Sequence, residues 1–170
     1  DLELGRFFLK QLEPWIYRRY LTWADISGIK ALKRRIEKRA QFEGGDDRNV
    51  KTGEGGIRDI EFVIQFLQLL NGGDLEEIRT GNTLQAITRL EKVGCLTMQE
   101  RNILEENYRF LRKIEHRLQI MFDLQTYNLP DSDKELRRLA MRAGYADHHG
   151  HSALQDFKRD LRERTRLNRK

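Results

Sequence analysis

The stretch that decides the fold class is residues 97–130, TMQERNILEENYRFLRKIEHRLQIMFDLQTYNLP. Thr97 and Glu100 have the spacing of a capping box, in which the two side chains satisfy backbone donors of the first helical turn. No glycine or proline follows until Pro130. The segment therefore predicts one helix of about 28 residues, about 40 Å long. Its inward stripe would consist of Leu104, Leu111, Ile114, Leu118 and Met121.

Apolar residues recur near a period of 3.6 along the rest of the chain, and no alternating β-branched run is bounded by turn signals. The sequence therefore predicts an all-α fold, a helical bundle of about six to eight helices with one long central helix. Residues 1–145 are expected to form the bundle, and residues 146–170 a basic C-terminal helix or extension. The expected helices are 2–12, a second starting at Pro14, 27–42, 57–70, 82–93, the long helix, one ending at Gly144, and 151–167.

Length and composition place the chain among single helical domains. It has 170 residues, of which 38% are hydrophobic and 35% charged, with two prolines, and this mixture suits amphipathic helices. The single Cys95 cannot form an internal disulfide, and no apolar run approaches the length of a membrane span. The amino end lacks an initiator Met and a signal-peptide core. We expect a cytoplasmic fragment of a longer protein, with no membrane partner.

The net charge of +5 is concentrated in the tail from Lys158 to Lys170. Seven bases stand there against Asp160 and Glu163, and 7 − 2 equals the +5 of the whole chain. The remainder is electrically balanced, so a basic groove for nucleic acid is not expected. Deleting the tail is expected to change the thermal midpoint by a few degrees at most.

Residues 49–62, NVKTGEGGIRDIEF, differ most from a generic bundle. Three glycines just before a helix allow close backbone approach and can aim amide groups at an anion, aided by the helix dipole. Lys51 and Arg58 add positive charge, which suits a phosphate or a nucleotide. The alternative is that the glycines serve only tight packing against another helix, and the sequence leaves both open. A Walker A motif is absent.

The helix after the glycines is apolar around most of its circumference, so it should be buried. Its polar residues Arg58, Glu61 and Gln65, with Gln68, fall on one narrow stripe, and Asp59 lies apart from it. An ion pair between Arg58 and Glu61 is the structural alternative to a binding role. Asp59 and Glu61 point in different directions, so they are not expected to form an acid and base pair.

Three segments together resemble the adenylyltransferase and deadenylase of bacterial glutamine synthetase. They are Tyr17-Arg18-Arg19-Tyr20-Leu21, the glycine segment from Asn49 to Phe62 with Gln65 and Gln68, and Tyr108-Arg109-Phe110-Leu111-Arg112-x-x-Glu115-His116-Arg117-Leu118-Gln119. A shorter form of the glycine segment also occurs in the related uridylyltransferase of the PII signal protein. The resemblance covers about residues 15–145, and the tail beyond Ala146 lies outside it.

This resemblance implies a helical domain that follows a nucleotidyltransferase head. In that family the head binds ATP and Mg²⁺ and transfers AMP to a tyrosine of glutamine synthetase, or removes it by phosphorolysis, which regulates nitrogen metabolism. The chain has no Gly-Ser dipeptide, and its only Asp-x-Asp is Asp131-Ser132-Asp133 in a late turn. We therefore expect no catalytic residue in this fragment, which should be inactive alone and bind no cofactor by itself.

Within this frame, phosphate binding is assigned to Lys51, Gly53, Gly55, Gly56 and Arg58, supported by the polar residues Asp59, Glu61 and Gln65. The expected partners are the adjoining head, glutamine synthetase and a PII-type regulatory protein. The other hypothesis is a non-catalytic module that docks glutamine synthetase or such a regulator.

Other candidate sites carry less weight. The turn with His148, His149 and His151 resembles a metal cluster, but we expect it to be a solvated loop, and no metal site is predicted. His116 is expected at a surface or seam, and Cys95 as a small buried residue. Aromatic residues near the amino end could stack bases, but helical spacing favours the core for Ile16, Tyr20 and Trp23.

Overall fold

The structure, a computed structural model, describes residues 1–42, 48–148 and 150–169. Within these ranges there is no strand, only isolated β-bridges between Asn49 and Asn128 and between His148 and His151. The prediction of an all-α chain with one long helix is confirmed. Gly44 and Gly45, predicted to end the third helix, lie outside the described residues. The helices are α1 (Leu2–Ile16), α2 (Trp23–Phe42), α3 (Ile57–Asn71), a short 3-10 helix (Glu76–Ile78), α4 (Thr83–Lys92), α5 (Met98–Phe122), α6 (Asp133–Ala143) and α7 (Ala153–Leu167).

The chain divides into two compact units. The first comprises Asp1–Ile36 and Glu61–Arg101, and the second comprises Glu37–Ile60 and Asn102–Lys170. The fully buried large side chains of the first unit are Ile64, Ile78, Ile87 and Leu90. Those of the second unit are Ile57, Ile60, Leu111, Ile114, Leu118, Leu139 and Phe157. The predicted domain boundary at residue 145 stays a prediction.

The helix boundaries in the second half follow local capping chemistry. The Thr97 amide donates to the Glu100 carboxylate at 2.8 Å and the Glu100 amide to the Thr97 hydroxyl at 3.2 Å, which confirms the capping box. Gly144 ends α6 with a left-handed φ of 103°. The long helix ends at Phe122, earlier than predicted, because Asp123 adopts φ 50°, a conformation that aspartate tolerates better than most residues.

Two boundaries near the amino end were predicted wrongly. Pro14 lies inside α1, because a proline in the last turn removes only one intrahelical donor, and the Tyr17 amide still reaches the Glu13 carbonyl at 2.8 Å. The helix predicted from Ser27 begins at Trp23. The Asp25 amide donates to the Thr22 hydroxyl at 3.2 Å, and the Asp25 carboxylate accepts the Thr22 amide at 2.9 Å, a capping arrangement that the prediction missed.

The predicted burial of this region was also wrong. Tyr20 and Trp23, expected in the core, are each 83% exposed. In α2, the apolar Leu32 and Ile36 are 50% and 36% exposed. Helical periodicity identifies an apolar face but does not say that a partner covers it. The exposed apolar side chains of α1 are Leu2, Leu4, Phe7, Phe8, Leu9 and Trp15.

Helix α7 belongs to the packed part of the second unit. It packs on α6, and its Phe157 is fully buried with the Tyr145 ring edge-on at 5.6 Å between centroids. Several tail bases pair with acids from other parts of the chain, which the charge count could not reveal. These pairs include Lys158 with Asp133 at 2.7 Å, Arg164 with Glu106 at 3.9 Å, and Arg169 with Glu54 at 2.8 Å.

Because of these contacts, removing even the last residues of the tail is expected to lower the thermal midpoint. Ending the chain after Leu167 removes the side chains of Asn168 and Arg169, which hydrogen bond Gly55 O at 2.7 Å and Glu54 O at 3.4 Å. Each such bond is worth about 1 kcal/mol, so we expect the thermal midpoint to fall by about 3–8 °C. Calorimetry of the full and truncated chains checks this, and unchanged midpoints would show that the two residues add no stability.

A second prediction concerns Tyr145, whose hydroxyl donates to Asp160 at 2.8 Å. Burial raises the pKa of Tyr145, and the bond to Asp160 raises that pKa further. The bond should stabilise the fold fully below the ordinary tyrosine pKa of about 10, and this contribution should be lost as the pH rises through the raised pKa. Urea unfolding of the wild type and Tyr145→Phe should show a gap in stability that is constant below about pH 10 and shrinks above it. A gap independent of pH would contradict this.

Within the described residues, no helix combines the length and the apolar character that crossing a membrane requires.

Candidate functional site

The glycine segment is anchored at its start by the loop that follows α5. The Val50 amide donates to the Tyr127 carbonyl at 2.9 Å, and the Leu129 amide donates to the Arg48 carbonyl at 2.9 Å. The Asn49 side-chain amide donates to the Asn128 side-chain oxygen at 2.7 Å. The first residues of the segment are therefore held by both backbone and side-chain bonds.

The backbone amides of the segment are used within the protein. The Asn49 side-chain oxygen accepts the amides of Lys51 and Thr52 at 3.0 and 2.9 Å. The Gly55 amide donates to the Asp59 carboxylate at 2.7 Å, and the Gly56 amide to the Gly53 carbonyl at 2.9 Å. In this conformation these amides are not available to an anion, unlike the expectation from the sequence.

Close packing requires glycine at positions 55 and 56. Gly55 has φ +71°, and a Cβ built there would lie 2.0 Å from the carbonyl oxygen of Thr165 in α7. A Cβ on Gly56 would lie 2.8 Å from the carbonyl oxygens of Gly53 and Val50. Neither contact tolerates a side chain, which favours the packing interpretation that the sequence left open. The phosphate-binding assignment of the three glycines stays a prediction.

A hydrogen-bond network joins the segment to the carboxyl end of α7. The Asn168 side-chain amide donates to the Gly55 carbonyl at 2.7 Å, and its oxygen accepts the Asn107 side-chain amide at 2.7 Å. The Arg164 guanidinium donates to the Asn107 side-chain oxygen at 3.0 Å. Asn107 is only 2% exposed, so its polar atoms need these partners. The sequence does not predict this network, because its only signal there is an asparagine at an inward position of the long helix.

Lys51 and Arg58 are brought together at the backbone, where the Arg58 amide donates to the Lys51 carbonyl at 3.0 Å. The Lys51 ammonium lies 4.3 Å from the centroid of the Tyr127 ring and 3.3 Å from the Tyr127 hydroxyl. Arg58 is exposed, and its guanidinium has no hydrogen bond or ion pair with any residue that the structure describes. It is the second residue of α3, where the helix dipole disfavours a cation.

The polar residues of α3 serve different purposes. The Asp59 carboxylate accepts the Gly55 amide and so stabilises the end of the glycine segment. Gln68 is buried, and its side-chain amide donates to the Ile78 and Thr80 carbonyls at 2.7 and 3.0 Å. Glu61 is half-buried and Gln65 is exposed. A supporting role of Asp59, Glu61 and Gln65 at a phosphate site stays a prediction.

The Tyr17-Arg18 segment packs on the turn after α3, within the first unit. A Cβ on Gly72 would lie 2.6 Å from Cδ1 of Tyr17, and one on Gly73 would lie 2.5 Å from the Arg18 carbonyl oxygen. The Arg79 guanidinium lies over the Tyr17 ring at 5.2 Å and donates to the Gly72 carbonyl at 2.7 Å. These contacts give Tyr17 and Arg18 a packing role.

The polar residues of the long helix also form a packed cluster. Arg112 donates to the Glu115 carboxylate at 2.7 Å and to the Tyr108 hydroxyl at 3.1 Å, and Glu115 is 3% exposed. Burial lowers the pKa of Arg112, but the bonds to Glu115 and Tyr108 outweigh it and raise the pKa. The neighbouring His116 is exposed. This cluster is an ion pair that satisfies a buried carboxylate.

The histidine turn is held by its own backbone. His148 and His151 exchange hydrogen bonds at 3.1 and 3.0 Å, while His149 lies outside the described residues. The described residues contain no group of three or more His, Cys, Asp or Glu side chains placed to hold a metal ion. Cys95 is a half-buried free thiol.

Fold and site together define an all-α module in which hydrogen bonds hold the glycine segment just before α3, and in which Arg58, near the start of that helix, pairs with none of the described residues. The chain belongs to the family whose model is described as GlnD PII-uridylyltransferase, and that model matches residues 29–169. The match extends through the tail, which the resemblance seen in the sequence had left out.

Curated relatives are similar over most of this chain. One from Brucella suis biovar 1 (strain 1330) is 41% identical over 84% of the chain, and one from Rhodopseudomonas palustris (strain TIE-1) is 39% identical over 95%. A third, from Xanthomonas campestris pv. campestris (strain B100), is 38% identical over 86%. All three are named bifunctional glutamine synthetase adenylyltransferase/adenylyl-removing enzyme, which confirms the resemblance. The chain spans 15–16% of the length of these relatives.

Proposed function

We propose that this chain is the helical domain of a longer bifunctional adenylyltransferase/adenylyl-removing enzyme, called the parent enzyme below. The domain packs on a nucleotidyltransferase head and helps bind nucleotide phosphates while AMP is added to, or removed by phosphorolysis from, a tyrosine of glutamine synthetase. ATP and Mg²⁺ are held mainly by the head, and a PII-type protein regulates the reaction in the cytoplasm. The names of the relatives support this proposal.

The observation that carries the proposal is the exposed Arg58. An unpaired guanidinium at the positive end of a helix dipole is electrostatically unfavourable unless an anion approaches it. The Asp59 carboxylate beside it is engaged by the Gly55 amide. Arg58 is therefore available to a phosphate of the nucleotide, and Lys51 adds a second positive charge. The glycine segment holds the backbone of both residues in a fixed place.

The domain contributes binding and no chemistry of its own. Its only Asp-x-Asp pairs internally, since Asp131 forms an ion pair with Arg48 and Asp133 with Lys158. These carboxylates lack the setting of a metal-binding pair. The isolated chain should transfer no AMP and bind ATP weakly or not at all.

The alternative is a non-catalytic module that docks glutamine synthetase or a PII-type regulator. It is favoured by one observation, the exposed apolar side chains Leu4, Phe7, Phe8 and Trp15 of α1. Exposed apolar patches of this kind mark interaction surfaces.

Kinetics of the parent enzyme separate the two functions. Replacing Arg58 by alanine should lower kcat/KM for AMP transfer if the residue meets nucleotide phosphate. Unchanged kinetics for that variant, together with weaker binding of glutamine synthetase by Phe7→Ala, would favour the docking module.

A further inference from the structure

Three side chains of α5 and the end of α7 form a continuous chain of hydrogen bonds that ends on the glycine segment. Arg164 donates to Asn107, Asn107 donates to Asn168, and Asn168 donates to the Gly55 carbonyl, with distances of 3.0, 2.7 and 2.7 Å. The Arg164 guanidinium also lies 4.9 Å from the centroid of the Phe110 ring. Each member is therefore oriented by a neighbour, and Asn168 is the one that touches the segment through a side-chain hydrogen bond to Gly55.

The segment is held on two sides. The hydrogen bond from the Val50 amide to the Tyr127 carbonyl fixes its start, and the Asn168 side chain holds the Gly55 carbonyl. Lys51 lies between these two points, and Arg58 lies three residues after Gly55. A release at Asn168 would free the carbonyl of Gly55 and loosen the turn that precedes Arg58.

We infer that Asn168 is a positioning residue for the phosphate-binding side chains Lys51 and Arg58, acting through the Gly55 carbonyl without touching the nucleotide. The inference rests on the proposed function. It assigns a functional role to the carboxyl end of α7, which the charge pattern had marked only as a basic tail. The preorganised loop saves the cost of ordering the backbone that carries these two side chains when the phosphate binds.

Asn168→Asp in the parent enzyme tests the inference. The variant keeps the size and the oxygen that accepts from Asn107, but it places a carboxylate oxygen against the Gly55 carbonyl. We expect faster hydrogen exchange at the amides of Gly55 and Gly56, and a fall of kcat/KM for AMP transfer by about three- to tenfold per folded molecule. Asn168→Ala, which adds no charge at the helix end, should change both in the same direction.

A purely structural role of Asn168 would change the stability of the protein and not its kinetics. It would lower the folded fraction and leave kcat/KM per folded molecule unchanged, an outcome that overturns the inference, as would unchanged hydrogen exchange. Because Asn168 is proposed to act through two side chains, Asn168→Asp should change kcat/KM less than about twofold in a Lys51→Ala, Arg58→Ala background. A full effect in that background also overturns the inference.

Two controls keep this result separate from the proposed function. Arg166→Ala alters an exposed residue of α7 close in sequence, and it should change neither hydrogen exchange nor kinetics. Wild-type kinetics in the Lys51→Ala, Arg58→Ala variant would contradict the proposed function and, with it, the positioning role of Asn168. A reduced kcat/KM in that variant, together with an unchanged kcat/KM in Asn168→Asp, would contradict the positioning role alone.

Discussion

Replacing Arg58 by alanine in the parent enzyme should lower kcat/KM for AMP transfer about ten- to a thousandfold, and Lys51→Ala should act in the same direction and range. This is the usual cost of losing one charged donor at a transferring phosphoryl group. The thermal midpoint of Arg58→Ala should stay that of the wild type, because the guanidinium is exposed and pairs with none of the described residues. Lys51→Ala should be slightly less stable, since it loses the contact with the Tyr127 ring.

Arg166→Ala is the matched control, because it removes an exposed arginine of the same chain from outside the glycine segment. Its kinetics and midpoint should be those of the wild type. The competing structural interpretation, an ion pair of Arg58 on its own helix, makes the opposite forecast. Arg58→Ala would then lower the midpoint and leave the kinetics of the folded enzyme unchanged.

Gly55→Ala should destabilise the chain by about 2–4 kcal/mol, the largest stability effect expected of a single substitution here. Alanine is strained at φ +71°, and its Cβ would lie 2.0 Å from the backbone oxygen of Thr165. Backbone cannot rotate away as a side chain does, so the segment would have to separate from α7. Thermal unfolding of the chain should show a midpoint lower by about 5–15 °C.

Gly94→Ala separates the cost of backbone strain at a positive φ from the cost of the contact with Thr165. Gly94 has a similar φ of +77°, but nothing lies within 4 Å of a Cβ built there. Its substitution should cost only the backbone strain, about 1 kcal/mol. Equal losses for Gly94→Ala and Gly55→Ala would show that the contact with Thr165 contributes nothing.

Local signals predicted most of the helices, because capping residues and glycine stops act within a few positions of the chain. Thr97 with Glu100 and the left-handed Gly144 are examples. Burial near the amino end could not be predicted in this way. The periodicity of Leu32 and Ile36 identifies an apolar face, but whether that face is covered depends on what packs against it.

The residues of the candidate site were likewise only partly predictable from the sequence. Lys51, Gly55 and Arg58 stand out in the sequence because glycines beside cations before a helix are typical of an anion site. Their neighbours do not stand out, since Asn168 lies 113 positions from Gly55. The charge count of the tail was accurate, but its interpretation failed because partners such as Asp133 and Glu54 come from distant segments.

The most direct test of phosphate binding by this domain is kcat/KM for AMP transfer by the parent enzyme with Arg58→Lys and Arg58→Gln, each normalised to the folded fraction. Both substitutions keep a long side chain, and only lysine keeps the charge. The account predicts that Arg58→Lys stays within about tenfold of the wild type and that Arg58→Gln falls as far as Arg58→Ala. Wild-type kcat/KM in Arg58→Gln would contradict it.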